Sequence, residues 1–246
     1  MNAPTRRAAR PERIEIDGPA GVLEGLLDAP ARAPSVVAVV CHPHPLHGGT
    51  MHNKVVYTLA RTFHRAGAAA LRFNFRGVGD SAGSHDDGVG EVDDAAAAAA
   101  WIRAKYPQSA LFLAGFSFGA GVALLAAARL EPIGLITVAP PVAKIPADFV
   151  RPRCPWLIVH GEHDEIVPLD RVRVWVAGLG VSPTLAVIDG ATHFFHGALG
   201  TLSDRADSFY RSAAAGTPAA AGTPAGAAEP AVGDGAPAAG ERGESC

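Results

Sequence analysis

Short apolar runs alternate with amphipathic or alanine-rich segments along most of the chain. The apolar runs are rich in Val, Ile and Leu, and several are continuous, which is typical of strands covered on both faces of a parallel sheet. They predict strands at 13–17, 22–28, 35–41, 69–75, 110–115, 134–139, 155–161 and 183–189. The segments between them predict helices at 53–65, 91–105, 117–129, 169–178 and 203–213.

The order of these elements predicts the fold class. The first two strands follow each other without room for a helix, so we expect an antiparallel hairpin. Strands and helices then alternate, which predicts an α/β protein with a doubly wound, mostly parallel sheet and right-handed crossovers. Ligands of such sheets bind beyond the carboxyl ends of the strands. Candidate chemistry is therefore sought where the strands end.

Composition divides the 246 residues into three parts. Residues 1–12 are expected to be a flexible N-terminus, and 13–212 a single folded domain. From residue 213 the chain is mostly Ala, Gly and Pro, with GTPA appearing twice. Such a segment buries too little apolar surface to offset its conformational entropy, so 213–246 is predicted to be a disordered tail.

Charge and cysteine content narrow the class of protein. A formal net charge of -3 gives no reason to expect nucleic acid or a membrane surface as a partner. The three cysteines, Cys41, Cys154 and Cys246, have no CxxC spacing and do not form a disulfide framework. No secretory signal or bilayer-length apolar run is found, which predicts a cytoplasmic protein. The basic first eleven residues leave an organelle transit peptide as an alternative.

The stretch LFLAGFSFGAGVALLAAA, residues 111–128, places one hydroxyl between a strand and a helix. Gly115, Ser117 and Gly119 form the G-x-S-x-G pattern of a nucleophile elbow, in which a tight turn lifts the serine Oγ above the sheet. The same turn aims the Phe118 N–H at the oxygen of an attacked group. The alternative is that Ser117 only caps the helix. The flanking strand and helix favour the nucleophile.

A serine nucleophile needs a base and an acid, which follow it in this chain order. The turn after the strand at 155–161 offers Glu162, Asp164 and Glu165. We select Asp164, because a short carboxylate ahead of a Val-Pro pair can hold an imidazole in one tautomer. The next strand is followed by His193 and His196, and His193 lies nearer the strand end. Ser117, Asp164 and His193 are thus the predicted catalytic residues.

The loop CHPHPLHGGTMHN, residues 41–53, is expected to supply a second oxyanion donor. Proline lacks an N–H, so the candidates are the backbone N–H groups of His44 and Leu46, of which we prefer His44. The loop also carries four histidines, which could indicate a metal site. No cluster of acids or cysteines completes a ligand set, so a metal is not predicted. The histidines are His42, His44, His47 and His52.

Together with HPHPLHGGTMHNKVV and FNFRGVGDSAG, the three catalytic candidates give the chain a family resemblance. It resembles the α/β-hydrolase superfamily, in particular its small bacterial serine esterase-like, dienelactone-hydrolase-like members, over about Ile14 to Arg211. The resemblance implies an eight-stranded sheet, no cofactor, and a triad of Ser117, Asp164 and His193. Dienelactone hydrolases proper use a cysteine where this chain has Ser117. Arg76 and Asp80 of the second motif are expected to brace loops.

The connection between the strands at 134–139 and 155–161 is too short for a multi-helix lid. We therefore expect an open, shallow site and a serine hydrolase that cleaves short-chain carboxylic esters of small molecules through an acyl-enzyme. Thioester hydrolysis, peptide hydrolysis and acyl transfer would use the same triad, and a non-catalytic scaffold is a further alternative. The residues expected to line the substrate site are Phe116, Phe118, Pro140, Pro141 and Val142.

Overall fold

Eight strands form one sheet in the order β1-β2-β4-β3-β5-β6-β7-β8 in the computed structural model, which describes residues 10–215. Residues 1–9 and 216–246, which contain most of the predicted flexible N-terminus and tail, lie outside the described residues. The strands are β1 (Glu12–Gly18), β2 (Gly21–Asp28), β3 (Val36–Cys41), β4 (Ala69–Phe73), β5 (Ala110–Phe116), β6 (Gly134–Val138), β7 (Trp156–Gly161) and β8 (Thr184–Ile188).

Strand β2 is the antiparallel member of an otherwise parallel sheet. It pairs antiparallel with β1 through the predicted hairpin and antiparallel with β4 on its other side. The pairs from β4 through β3, β5, β6 and β7 to β8 are all parallel. Every residue of the central strand β3 is buried, as expected for a strand covered on both faces. The predicted fold class is confirmed.

Helices cover both faces of the sheet, and the sheet separates the hydrophobic core into two layers. Val56, Phe63 and Tyr210 pack on one face with the strand residues that point that way, so α1 and α5 lie there. Ala98, Leu124 and other residues of α2, α3 and α4 pack on the opposite face. The helices are α1 (Lys54–Arg65), α2 (Val89–Lys105), α3 (Phe118–Leu130), α4 (Leu169–Ala177) and α5 (Leu199–Ala214).

All the predicted strands and helices occur, and the differences lie at their ends. Helix α5 starts at Leu199, before the predicted start at Ser203. It ends at Ala214, one residue after the predicted helix end and two residues past the predicted domain boundary at 212. Gly200 in its first turn disfavours a helix locally, but burial of Leu202 against the sheet stabilises one there. A single 3-10 turn at Pro45–His47, in the loop after β3, is not anticipated by the sequence pattern.

The connection between β6 and β7 carries no helix, so it places no helical lid over the carboxyl ends of the strands. Residues 139–155 instead form turns and irregular backbone. Apolar side chains of this connection, including Ile145 and Phe149, pack onto the core. Among residues 10–215, no helix has both the length and the apolar character needed to cross a membrane.

Candidate active site

Ser117 lies at the turn from β5 into α3, with φ 53° and ψ −120°. This positive-φ conformation is costly for a residue with a side chain. Its N–H donates to the Val138 carbonyl of the neighbouring strand, 2.8 Å away. A Cβ at Gly115 would collide with the Gly119 carbonyl, and a Cβ at Gly119 would collide with the His42 carbonyl. The two glycines are therefore required by the close approach of three backbone segments.

Asp164 follows β7 in a turn that holds its carboxylate in place. Its Oδ1 accepts hydrogen bonds from the backbone N–H groups of Ile166 (2.9 Å) and Val167 (2.7 Å). Burial favours the neutral acid, but hydrogen bonds from His193 and Val167 outweigh it and hold the pKa of Asp164 below its usual value. The group is therefore a carboxylate at neutral pH.

His193, after β8, connects the acid to the serine. Its Nδ1 lies 2.8 Å from Asp164 Oδ2, and its Nε2 lies 3.0 Å from Ser117 Oγ. Because an ionised carboxylate only accepts, Nδ1 carries the proton and Nε2 accepts the Ser117 hydroxyl hydrogen. The Glu165 carboxylate accepts the backbone N–H of His193 (3.2 Å), and the Phe116 ring packs 5.2 Å from the imidazole. The fold thus brings the predicted Ser, His and Asp into one hydrogen-bonded chain.

The loop after β3 brings His44 to the same place. Its imidazole packs 5.0 Å from the Phe118 ring, and its Nδ1 accepts the Leu46 N–H at 3.3 Å. The Leu46 N–H, one of the two candidate oxyanion donors of this loop, is therefore already engaged in a hydrogen bond. The His44 N–H is left as the candidate donor. Burial, with His47 and His85 nearby, lowers the pKa of His44 and favours its neutral form.

A cleft of about 760 Å³ opens above Ser117 and His193, between the loop after β3 and the start of α4. Phe118, Pro141 and Val142 line it, as expected from the sequence. Phe116 and Pro140 do not. Phe116 is fully buried at the end of β5, where its side chain supports His193 from below, and Pro140 is also buried. Further lining residues include His47, Asn53, Asp87, Lys144, Ile166, Arg171 and Phe194.

One buried polar residue beside the triad, His160, was not identified from the sequence. His160 is fully buried; its Nε2 lies 2.8 Å from the Val167 carbonyl and 3.5 Å from Asp164 Oδ2. An ionisable residue within an otherwise apolar strand could have identified His160 in the sequence.

Arg76 braces the loop as predicted, through an ion pair with the buried carboxylate of Asp94 (2.8 Å). The Asp80 side chain is exposed, and only its backbone N–H contacts Glu24.

The four histidines of the loop after β3 do not converge on a common point. His42 is buried and bonds to backbone atoms, whereas His44 and His47 stack on each other with ring centroids 4.5 Å apart. Within residues 10–215, no group of three or more His, Cys, Asp or Glu side chains is arranged to hold a metal ion.

An eight-stranded sheet with a nucleophile elbow and an aligned serine, histidine and aspartate defines the α/β serine hydrolase architecture. Comparisons with known proteins agree with this class. The family model of serine aminopeptidase, S33, matches residues 38–153, which include Ser117. An uncharacterized protein of Rickettsia prowazekii is 41% identical over 196 residues, covering 74% of this chain and 82% of that protein.

Two related solved structures extend the agreement to the fold. An α/β serine hydrolase without lid from Xanthomonas campestris is 44% identical, with a TM-score of 0.79 over 83% of this chain and 95% of that one. An α/β serine hydrolase homologue from Coxiella burnetii is 43% identical, with a TM-score of 0.77 over 82% of this chain and 98% of that one. The chain belongs to the α/β-hydrolase superfamily.

Proposed function

We propose that the protein is a cytoplasmic carboxylesterase that cleaves short-chain esters of small molecules, with Ser117, His193 and Asp164 as its catalytic triad. The single observation that carries this proposal is the hydrogen-bonded chain from Ser117 Oγ to His193 (3.0 Å) and on to Asp164 (2.8 Å). It lies at the floor of an open cleft, where a substrate carbonyl can reach the serine. The free thiols of Cys41 and Cys154 are compatible with the reducing cytoplasm.

The reaction follows from the positions of these groups. Ser117 Oγ forms a bond to the ester carbonyl carbon while His193 Nε2 takes the hydroxyl proton. The N–H groups of Phe118 and His44 stabilise the negative oxygen of the tetrahedral intermediate. His193 then protonates the leaving alcohol as the ester C–O bond breaks, which leaves an acyl-enzyme. His193 Nε2 then takes a proton from water as the water oxygen bonds to the acyl carbon. The bond from that carbon to Ser117 Oγ breaks, His193 returns the proton to Oγ, and the carboxylic acid leaves.

The cleft favours short acyl groups. Phe118, Pro141 and Val142 provide an apolar wall, but within residues 10–215 the β6–β7 connection supplies no helical lid to enclose a long chain above it. An apolar chain gains binding free energy only over the part that leaves water. Affinity should therefore rise for the first few acyl carbons and then level off, because further carbons remain in solvent.

The first experiment measures hydrolysis of p-nitrophenyl esters from two to twelve acyl carbons, with Ser117→Ala as the control. Turnover on short chains that disappears in Ser117→Ala supports the proposal. A preference for twelve carbons would contradict the open-cleft argument while leaving the triad in place. Folded wild-type protein that cleaves none of these esters would overturn the esterase proposal. Matched thioesters and aminoacyl anilides, and added acceptor alcohols, then test the thioesterase, peptidase and acyltransferase alternatives.

A further inference from the structure

His42 is a fully buried imidazole in the candidate oxyanion loop, two positions before His44. Its Nδ1 lies 2.6 Å from the Pro43 carbonyl oxygen, and its Nε2 lies 3.0 Å from the backbone N of Phe75. The Phe75 ring packs against it at 4.6 Å. It contacts none of the three triad residues through a hydrogen bond, so the mechanism above assigns it no part.

These two contacts determine the tautomer of His42. The Phe75 N–H can only donate, so Nε2 must be the accepting, unprotonated nitrogen. Nδ1 therefore carries the proton and donates to the Pro43 carbonyl. Burial lowers the pKa of His42 to about 4, against smaller opposing effects of the Pro43 carbonyl and Glu91, so the ring stays neutral at physiological pH.

The Pro43 carbonyl and the His44 N–H belong to the same peptide group. A trans peptide is planar, with its C=O and N–H pointing in opposite directions, and residues 10–215 contain no cis peptide bond. A group that holds the carbonyl oxygen therefore also sets the direction of the N–H. We propose that His42 is a positioning residue that aims the His44 N–H at the oxyanion; this inference rests on the proposed function.

Gly49 restrains the same peptide from a second side. Its N–H donates to the His44 carbonyl, which belongs to the next peptide group, at 3.0 Å, and this closes the loop back over its own start. A Cβ at Gly49 would collide with the Pro43 carbonyl oxygen. The peptide between Pro43 and His44 is thus held between an imidazole donor and a glycine backbone before any substrate binds. Such preorganisation is what makes a backbone N–H effective against a developing negative charge.

Two substitutions of His42 separate aiming from general support. An asparagine amide nitrogen lies near the position of Nδ1, so His42→Asn keeps the donor to Pro43 and loses the bond to Phe75. A glutamine amide lies near Nε2, so His42→Gln keeps the bond to Phe75 and loses the donor to Pro43. Each variant loses one hydrogen bond, so both should be destabilised similarly. Gly67→Ala, in the turn between α1 and β4 at φ 96°, is a control that is destabilised away from the cleft.

The measurements are kcat and KM for p-nitrophenyl acetate, together with the rate at which a fluorophosphonate labels Ser117. Removal of one oxyanion donor lowers the rate by about 100- to 1000-fold, so a misaimed donor in His42→Gln should lower kcat by about 10- to 100-fold with KM within about twofold. We expect His42→Asn to lose less than about fivefold, Gly67→Ala to match wild type, and labelling to follow the same order.

Equal losses in the two His42 variants, or a loss confined to KM, would overturn the positioning role and leave the esterase proposal standing. The labelling rate keeps the two proposals separate, because phosphonylation also builds negative charge on an oxygen beside Ser117. Wild-type protein that is labelled but cleaves no ester would overturn the ester substrate, and the His42 inference would still be decided by labelling. Folded wild-type protein that is not labelled at Ser117 would overturn both.

Discussion

The backbone strain at Ser117 predicts an unusual effect of glycine on stability. Ser117 has φ 53° and ψ −120°, a conformation that glycine adopts at little cost and other residues do not. Ser117→Ala and Ser117→Gly both remove the hydroxyl and its hydrogen bond to His193. The difference in stability between these two variants therefore reports the backbone strain, separated from the loss of the side-chain contact.

The expected difference follows from two opposing contributions. A side chain held in such a sparsely populated region costs about 1–3 kcal/mol, which Ser117→Gly relieves. Glycine loses about 0.5–1 kcal/mol more conformational entropy than alanine on folding. Ser117→Gly should therefore be more stable than Ser117→Ala by about 1 kcal/mol, the middle of a range of about 0–2.5 kcal/mol. With a urea dependence of about 2 kcal/mol per molar, its unfolding midpoint should be about 0.5 M higher.

Equilibrium urea unfolding at neutral pH, followed by fluorescence and circular dichroism, measures the difference. The control is Ala100→Gly on the exposed face of α2, where the same alanine-to-glycine change should destabilise by about 1 kcal/mol. Both Ser117 variants should be inactive. A Ser117→Gly protein that is less stable than Ser117→Ala by the same amount as the control would refute the strain argument.

Three further predictions concern the triad, acid stability and charge selection. Asp164→Asn should lower kcat by about 10⁴-fold with little change in KM for p-nitrophenyl acetate, because the amide stabilises the wrong His193 tautomer. Burial lowers the pKa of His42 from 6.5 to about 4, so on acidification His42 is protonated in the unfolded chain before it is protonated in the folded protein. This difference should lower the free energy of unfolding by about 2 kcal/mol between pH 7.5 and 5. The decrease should be smaller in His42→Asn, which lacks the titrating imidazole. Lys144 and Arg171 line the cleft, so changing both to Gln should lower kcat/KM for the anionic ester p-nitrophenyl hemisuccinate by about 2- to 10-fold. The value for the neutral p-nitrophenyl butyrate should not change. Added salt should reduce the difference between wild type and variant on the hemisuccinate.

Local patterns in the sequence predicted the elements and the order of the chemistry. Continuous apolar runs predicted the buried strands, because β3 and its neighbours are covered on both faces whatever their order in the sheet. The glycines beside Ser117 predicted the elbow by their spacing, and Gly115 does approach the Gly119 backbone within the motif itself. Gly119 also approaches the distant His42 carbonyl, which the motif does not reveal. The sequence thus displays these features as a run of apolar residues or a spacing of glycines.

Only the tertiary structure decided which side chains meet. The sequence of its turn indicated Asp164 as the candidate acid. That its carboxylate meets His193, 29 positions away, and that His193 meets a serine 76 positions away, depends on how the strands are paired. The direction of the Phe116 side chain, into the core and not into the cleft, likewise depends on the twist and packing of the sheet. The partners of His42 lie on its own loop and at the end of β4. Long-range contacts of this kind follow from strand order and register, which no local pattern encodes.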